Sequence, residues 1–437
     1  MKLGVLARNL FIDWFGGSTR TNRGLLIEVV KVRRKFSVEL IPVVDEVYWT
    51  IKKGKVCKDV VNKWANFYKE HGLLVNERLL KQYIGGNLHR DITSIYKREL
   101  MEYDILYDPI LIPTADPGLT QIQQIVNPVH VDLIYLKQTG GKLMVLLIGT
   151  PDIPLRYNWL LKFTVNYGFL SPKEVMGLTL FIARSKSLIS ALAKFRDRVL
   201  LLSPSPGALK NINATNEFRS VSFYPFYAVD ERVLTISTGK KEDYLVFFSR
   251  GDVTKGIFEI PKILKLMRRY GCAYKLKIVS GFASERIKRI FLRLVDLYGV
   301  KDLIELSGVT GYVSDNNKID MFNAVSKALL TLNPSHADVI PNVVIESLFL
   351  RTPVLMYDIL GPYEAFKGAK AIFFTPEFDT KKIALAACNL LENYNINVLF
   401  NDEKTKEIIE LHKDWRLISN RFISLVIDFY ENKALIS

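Results

Sequence analysis

Short apolar runs alternate with longer stretches of helical spacing along the chain. In the first half, residues 2–7 (KLGVLA), 37–44 (SVELIPVV), 104–107 (DILY), 142–148 (KLMVLLI) and 198–203 (RVLLLS) read as strands. Each run is short, continuous and bounded by polar or turn residues, as expected of a strand covered on both faces. GLLIEVVKV (24–32) has helical spacing, and residues 58–101 read as mostly helical. Pro, Gly and charge then come together over 223–243 (FYPFYAVDERVLTISTGKKED), which marks a linker. Beyond it the alternation restarts. YLVFFS, YKLKIVS, LIELSG, ALLTLNP and PVLMYD read as strands, and GIFEIPKILKLMRRY, ASERIKRIFLRLVDLY, KIDMFNAV and NVVIESLFL as helices.

Strand–helix alternation predicts βαβ units and parallel sheets with helices on both faces. Two such halves predict an α/β chain of two doubly wound, Rossmann-like domains facing across a cleft. The domains are expected at 1–230 and 231–412. A helical tail, 413–437, is amphipathic over DWRLISNRFISLVIDFYENK. Its Trp415, Leu417, Ile418 and Phe422 are suited to pack on either domain, including back onto the first. In open parallel sheets, ligands bind beyond the carboxyl ends of the strands. Functional residues are therefore expected in the strand-to-helix loops.

Composition narrows the function classes. Of 437 residues, 49% are hydrophobic, enough for large cores and against wholesale disorder. No uncharged apolar run reaches the roughly 18 residues that a membrane span needs, and Arg8 and Asp13 interrupt the N-terminal run where a signal peptide would be unbroken. Cys57, Cys272 and Cys388 are odd in number, far apart and without zinc spacing. They read as structural thiols in a reducing cytosol. The formal net charge is +15, and residues 1–230 carry 31 Lys and Arg against 20 Asp and Glu. Such a basic half fits nucleic acid, an anionic membrane surface, a phosphorylated substrate or an ordinary solvated surface. No recognised nucleic-acid module is present, so no nucleic-acid partner is expected.

Three loops carry candidate chemistry. In FFSRGDVTKGIFEI (247–260) a strand ends at Ser249, Arg250 and Lys255 follow, and Gly256 opens towards a helix. A forked guanidinium, a compact ammonium and a helix N-terminus together suit a diphosphate; a solvated basic loop is the alternative. In FGGSTRTNR (15–23), Gly16 and Gly17 allow close backbone approach to a ligand, or form a plain turn. It is not GxGxxG, and no GxxxxGK[ST] occurs in the chain. In HADVIPNVVIESLFLRTPVL (336–355), Asp338 lies in a loop, Pro341 suits the first turn of a helix, and Glu346 falls inside a helix apolar nearly all round. A buried carboxylate costs several kcal/mol unless partnered. Glu346 thus needs either a structural base or the hydroxyls of a ligand. His71, His89, His130, His336 and His412 stand in no catalytic spacing and read as structural or exposed.

The loop pair resembles the GT-B glycosyltransferases of family 4. Their first loop has the form GR-x4-KG, here SRGDVTKG. Their second has the form PS-x2-EGF-P/G-NVVLEAMA-x-G-x-PVV, here PSHADVIPNVVIESLFLRTPVL. GYVSDNNKIDMFNAV (311–325) is similar to the segment between them. The resemblance covers most of 240–360 closely and 1–230 only in pattern. It implies a retaining, metal-independent transferase of the hexosyltransferase type. The donor is a nucleotide-diphosphate sugar, the acceptor a glycan or lipid-linked glycan, and no separate cofactor is used. Arg250 and Lys255 are implied to hold the donor diphosphate, Glu346 the ribose hydroxyls and Asp338 the donor sugar. Gly16, Gly17, Gly256, Tyr312, Asn342 and Val343 are implied as further donor-binding positions. Location is expected in the cytoplasm, peripheral to an anionic membrane face.

The chain departs from that pattern in three places. Asp338 replaces a glutamate, Arg351 a glycine, and Gly149 and Thr150 stand where a histidine commonly faces the sugar. The last departure keeps two alternatives in view: a weak or inactive sugar-nucleotide-binding subunit, or another GT-B sugar-nucleotide enzyme.

Overall fold

The runs of Val, Ile and Leu that read as strands form two sheets in which every pairing is parallel. The computed structural model describes residues 1–8, 10, 11, 17–32, 36–43, 58–85, 92–111, 130–147, 172–205, 218–307, 318–393 and 395–433. They divide into two compact units, Met1–Phe226 with Trp415–Ser437, and Tyr227–Asp414.

The first unit holds β1 (Lys2–Leu6), β2 (Ser37–Ile41), β3 (Leu74–Val75), β4 (Ile105–Asp108), β5 (Lys142–Leu146), β6 (Val199–Ser203) and β7 (Arg219–Ser222) in the order β3-β2-β1-β4-β5-β6-β7. Strand order reverses between β1 and β4, where Val5 lies opposite Tyr107. Helices α1 (Gly17–Val32), α2 (Lys58–Glu70), α3 (Glu77–Gly85), α4 (Ile92–Glu99), α5 (Val131–Gln138) and α6 (Pro172–Ala193) belong to the same unit. Edge strand β3, with two residues, is too short to announce itself as an apolar run, and edge strand β7, RSVS, is too polar.

The second unit holds β8 (Glu242–Phe247), β9 (Lys275–Ile278), β10 (Ile304–Leu306), β11 (Ala328–Asn333), β12 (Val354–Asp358) and β13 (Ile372–Pro376), ordered β10-β9-β8-β11-β12-β13. Here the order reverses between β8 and β11. Its helices are α7 (Glu231–Leu234), α8 (Ile260–Arg269), α9 (Glu285–Tyr298), α10 (Lys318–Lys327), α11 (Asn342–Phe349), α12 (Leu360–Phe366), α13 (Thr380–Glu392), α14 (Ile396–Phe400) and α15 (Glu403–Leu411).

The tail forms α16 (Trp415–Tyr430), which packs on α1 in the first unit. Ile418 and Phe422 are buried, whereas Leu417 is 53% exposed. A methyl at Gly24 of α1 would lie 2.5 Å from Trp415 Cζ2, so the indole requires a glycine beneath it. Lys142 at the start of β5 donates to the carbonyls of Phe429 (2.6 Å) and Tyr430 (2.8 Å), capping the negative end of α16.

Two expectations are corrected. Cys272 and Cys388 are a disulfide, with Cα atoms 5.7 Å apart and 116 residues between them. Cys272 follows α8, Cys388 lies in α13, and these helices pack together, which spacing along the chain does not reveal. The cysteine argument for a reducing compartment falls with it; Cys57 lies outside the described residues. The helix expected directly after Gly256 begins four residues later. Lys255 ends a 3₁₀ turn (Val253–Lys255), and α8 starts at Ile260. Among the described residues, no helix is long and apolar enough to cross a membrane.

Candidate functional site

The reversal between β8 and β11 splays the two loops that follow these strands and leaves a crevice at their carboxyl ends. Ser249 Oγ, just beyond β8, donates to Asn333 Oδ1 at the end of β11 (3.0 Å) and ties the strand ends together. Asn333 is fully buried, and its Nδ2 has no hydrogen-bond partner among the described residues.

Asp252 shapes the first loop. Its Oδ1 accepts from the N–H groups of Thr254 (2.8 Å) and Lys255 (3.2 Å) and from the Thr254 hydroxyl (2.6 Å). Its Oδ2 accepts from Arg250 Nε at 2.5 Å. One carboxylate thereby caps the 3₁₀ turn and holds the guanidinium. Gly256 then takes φ +73, and a Cβ there would sit 2.0 Å from the Pro334 carbonyl oxygen. Both the left-handed backbone and the contact between loops exclude any side chain.

That contact brings the loops together. His336 N–H donates to the Thr254 carbonyl at 2.8 Å. Lys255 Nζ donates to Ala337 O (2.7 Å) and to Asp338 Oδ1 (2.5 Å), and Ser335 Oγ donates to Asp338 Oδ2 (2.6 Å). Arg250, Lys255, Gly256 and Asp338 thus meet at the β8/β11 crevice.

Glu346 sits in α11, 1% exposed, and its Oε1 accepts from the Tyr227 hydroxyl at 2.9 Å. Tyr227 is anchored in turn, because its carbonyl accepts from His412 Nδ1 at 2.5 Å. Pro341 falls just before α11, as its N-cap and without a side-chain cap. Asn342 and Val343 open the helix, so their N–H groups lack intrahelical acceptors. Asn342 Nδ2 is buried without a hydrogen-bond partner among the described residues. Arg351, in the place of the family's glycine, has φ +51 just past the Leu350 C-cap of α11, a left-handed turn that glycine takes without strain. Gly17 opens α1, while Gly16, Tyr312, Gly149 and Thr150 lie outside the described residues.

The sequence reading did not single out the setting of His336. Its Nδ1 lies 3.1 Å from Glu377 Oε1 and its Nε2 3.3 Å from Glu259 Oε2. The ring stacks on Phe378 at 4.3 Å. Burial opposes the charge on His336, but the hydrogen bonds to Glu259 and Glu377 outweigh it, and its pKa is raised. No motif spacing announces this cluster, since its members come from three distant segments.

The first unit also carries charge at its reversal point. Arg8, just beyond β1, makes a two-pronged bond to Asp108 at the end of β4 (Nε–Oδ1 2.8 Å, Nη2–Oδ2 3.0 Å). Arg8 Nη2 lies 2.9 Å from His130 Nε2, and His130 Nδ1 lies 3.0 Å from Asp132 Oδ2. A guanidinium can only donate, so Nε2 accepts and Nδ1 carries the proton towards Asp132. Burial pushes Asp108 up to about 7, against the pull of Arg8. Asp108, His130 and Asp132 offer ligand atoms within 4.8 Å of one another, as a metal site would. The Arg8 guanidinium already supplies the cation at two of the three, so the donor set suits a buried arginine network better than a metal ion.

Residues 235–413 match the family model described as glycosyl transferases group 1. Among curated proteins none matches the chain by sequence. Similar solved structures include a sucrose-phosphate synthase from Thermosynechococcus elongatus, with TM-score 0.62 and 12% identity over 99% of this chain and 100% of that one. HepE from Anabaena, in complex with UDP and glucose, has TM-score 0.58 and 13% identity over 98% and 100%. A glycosyltransferase from Rickettsia africae has TM-score 0.58 and 12% identity over 99% of each chain. At such identities the likeness is one of fold, and the fold is GT-B.

Proposed function

We propose that this chain, whose residues 235–413 are a domain of the group 1 glycosyl transferase family on a GT-B fold, is a retaining glycosyltransferase. It moves a hexosyl unit from a nucleotide-diphosphate sugar to a glycan or lipid-linked glycan, without a metal. The observation that carries the reading is the bond between Lys255 Nζ and Asp338 Oδ1 at the β8/β11 crevice, with Arg250 held on the same loop.

Glycosyl transfer develops negative charge on the leaving diphosphate and positive charge at the sugar carbon. Arg250 and Lys255 neutralise the former, and the opening N–H groups of α11, at Asn342 and Val343, add to the positive potential. These groups are held in place before reaction by Asp252 and Asp338, so little reorganisation accompanies charge development. Glu346 accepts from the ribose hydroxyls, while Tyr227 fixes one of its oxygens. Asp338, one methylene shorter than the family's glutamate, both seats Lys255 and contacts the donor sugar.

The test is release of nucleoside diphosphate from a panel of donors, with binding followed separately by thermal shift. HepE was solved with UDP and glucose, which makes UDP-glucose the first donor to try. Binding with turnover supports the reading, and neither binding nor turnover across the panel overturns it. A second reading, a sugar-nucleotide-binding subunit, draws on Gly149 and Thr150 at the family's histidine position and on His130 being committed to Arg8 and Asp132. Tight binding without turnover favours that reading. We place the protein in the cytoplasm at an anionic membrane face. The disulfide, at cysteines only 8% and 3% exposed, is shielded there from cytosolic thiols.

A further inference from the structure

The second unit concentrates its positive charge on one edge. Residues 227–414 hold 26 Lys and Arg against 24 Asp and Glu. Between Ile260 and Tyr298 alone there are ten Lys and Arg against two acids, Glu285 and Asp296. The rest of that unit is therefore net acidic. The basic segment is α8, β9 and α9, beside the edge strand β10, and the two helices pack against each other.

Each helix is amphipathic. α8 buries Ile260, Ile263, Leu264 and Met267 and exposes Lys262, Lys265, Arg268 and Arg269. α9 buries Phe291, Leu294 and Val295 and exposes Arg286, Arg289 and Arg293, which the 3.6-residue repeat sets in one stripe. Two leucines lie on the exposed side with them, Leu292 (38%) and Leu297 (71%), and Tyr270 follows α8 at 41%. Part of the charge is answered locally, since Arg268 bonds Asp302 at 2.5 Å.

We propose that the α8–α9 face docks on a bilayer surface containing anionic lipid. The arginine stripe meets the headgroup charge, and Leu292 and Leu297 bury at the boundary with the acyl chains. Exposed leucines interleaved with arginines distinguish this partner from nucleic acid, whose phosphate backbone offers such leucines nothing. The assignment rests on charge and burial in the second unit alone and holds whatever the chain transfers.

Co-sedimentation of the full chain with phosphatidylcholine vesicles, with and without phosphatidylglycerol, tests it. The chain should bind only when phosphatidylglycerol is present and come off between about 0.1 M and about 1 M salt, as the screening length drops from about 10 Å to about 3 Å. Each basic residue near such a surface is worth on the order of fivefold in partition. Arg289→Glu with Arg293→Glu should therefore cut binding by at least tenfold or so, and Lys262→Glu with Arg269→Glu should act alike through the other helix. Arg289→Lys with Arg293→Lys should retain binding, and Lys63→Glu on α2 should leave it unchanged. The proposal is overturned if both reversed pairs, with native melting temperatures, bind as the native chain does. Equal binding to pure phosphatidylcholine, or binding to a single-stranded oligonucleotide but not to vesicles, also overturns it.

Discussion

The hydroxyl of Tyr227 donates to Glu346 Oε1 at 2.9 Å, joining the first residue of the second unit to the carboxylate inside the buried helix α11. The carbonyl of the same tyrosine accepts from His412 Nδ1 at 2.5 Å. Three residues far apart in the chain thereby fix one buried carboxylate in α11.

Tyr227→Phe removes the donor and leaves Glu346 buried with a lost bond. The cost should be about 1–3 kcal/mol, as for other buried groups deprived of a partner. If Glu346 grips the ribose in ground and transition state alike, the variant should raise the donor KM with little change in kcat. Denaturant melts and steady-state kinetics read the two effects. Native stability with native KM would remove the tyrosine from this role.

His412 gives the stability of the second unit a definite pH dependence. Burial drives its pKa down to about 4, against an ordinary value near 6.5. Below about pH 6.5 the unfolded chain takes up a proton that the folded chain refuses until about pH 4, so stability falls as pH drops across that window. The loss approaches about 3 kcal/mol. Urea midpoints measured between pH 7 and pH 4.5 should fall, and His412→Asn should flatten the fall. An equally steep dependence in the variant would show that other groups carry it.

His336 has the opposite sign. Glu259 and Glu377 raise its pKa against the effect of burial. The stability it contributes is complete below the unfolded value and is lost as pH rises through the raised folded value. Its backbone N–H and ring seat the loop that bears Asp338. Donor KM should therefore rise on the alkaline side in the native chain, while His336→Gln should show a high KM at all pH values and no alkaline rise. A native profile in the variant would contradict this.

The Cys272–Cys388 bond closes a long loop that contains Asp338 and Glu346. Closing a loop of about 100 residues stabilises by up to about 4.7 kcal/mol in the chain-entropy account. Cys272→Ser should lower the melting temperature, and a reductant should lower the native value under denaturing conditions but leave the variant unmoved. Equal melting temperatures with and without the bond would refute a stabilising role.

The strands and the two motif loops were legible because their signals are local. Apolar runs such as VLMYD and LLTLN need both faces covered, and SRGDVTKG and PSHAD carry their chemistry within a few residues. Glu346 was legible as a buried charge but not in its partner, because nothing near Tyr227 marks it as facing α11. The His336 cluster, the disulfide and the Arg8–Asp108–His130–Asp132 network depend on which strand ends and helices adjoin. That is decided by sheet order, not by spacing. β3, with two residues, and β7, with the pattern RSVS, lack the apolar run that betrays a strand and exist because the sheet beside them is already formed.

The central claim is that Lys255 and Glu346 hold a nucleotide-diphosphate donor at the crevice between β8 and β11. Its most direct test is the rate of nucleoside-diphosphate release by Lys255→Ala and by Glu346→Ala, each checked for an intact fold. Each rate should fall by roughly two to three decades, about 2.7–4 kcal/mol, as on losing one transition-state donor. Folded variants that turn over at near-native rates would contradict the claim.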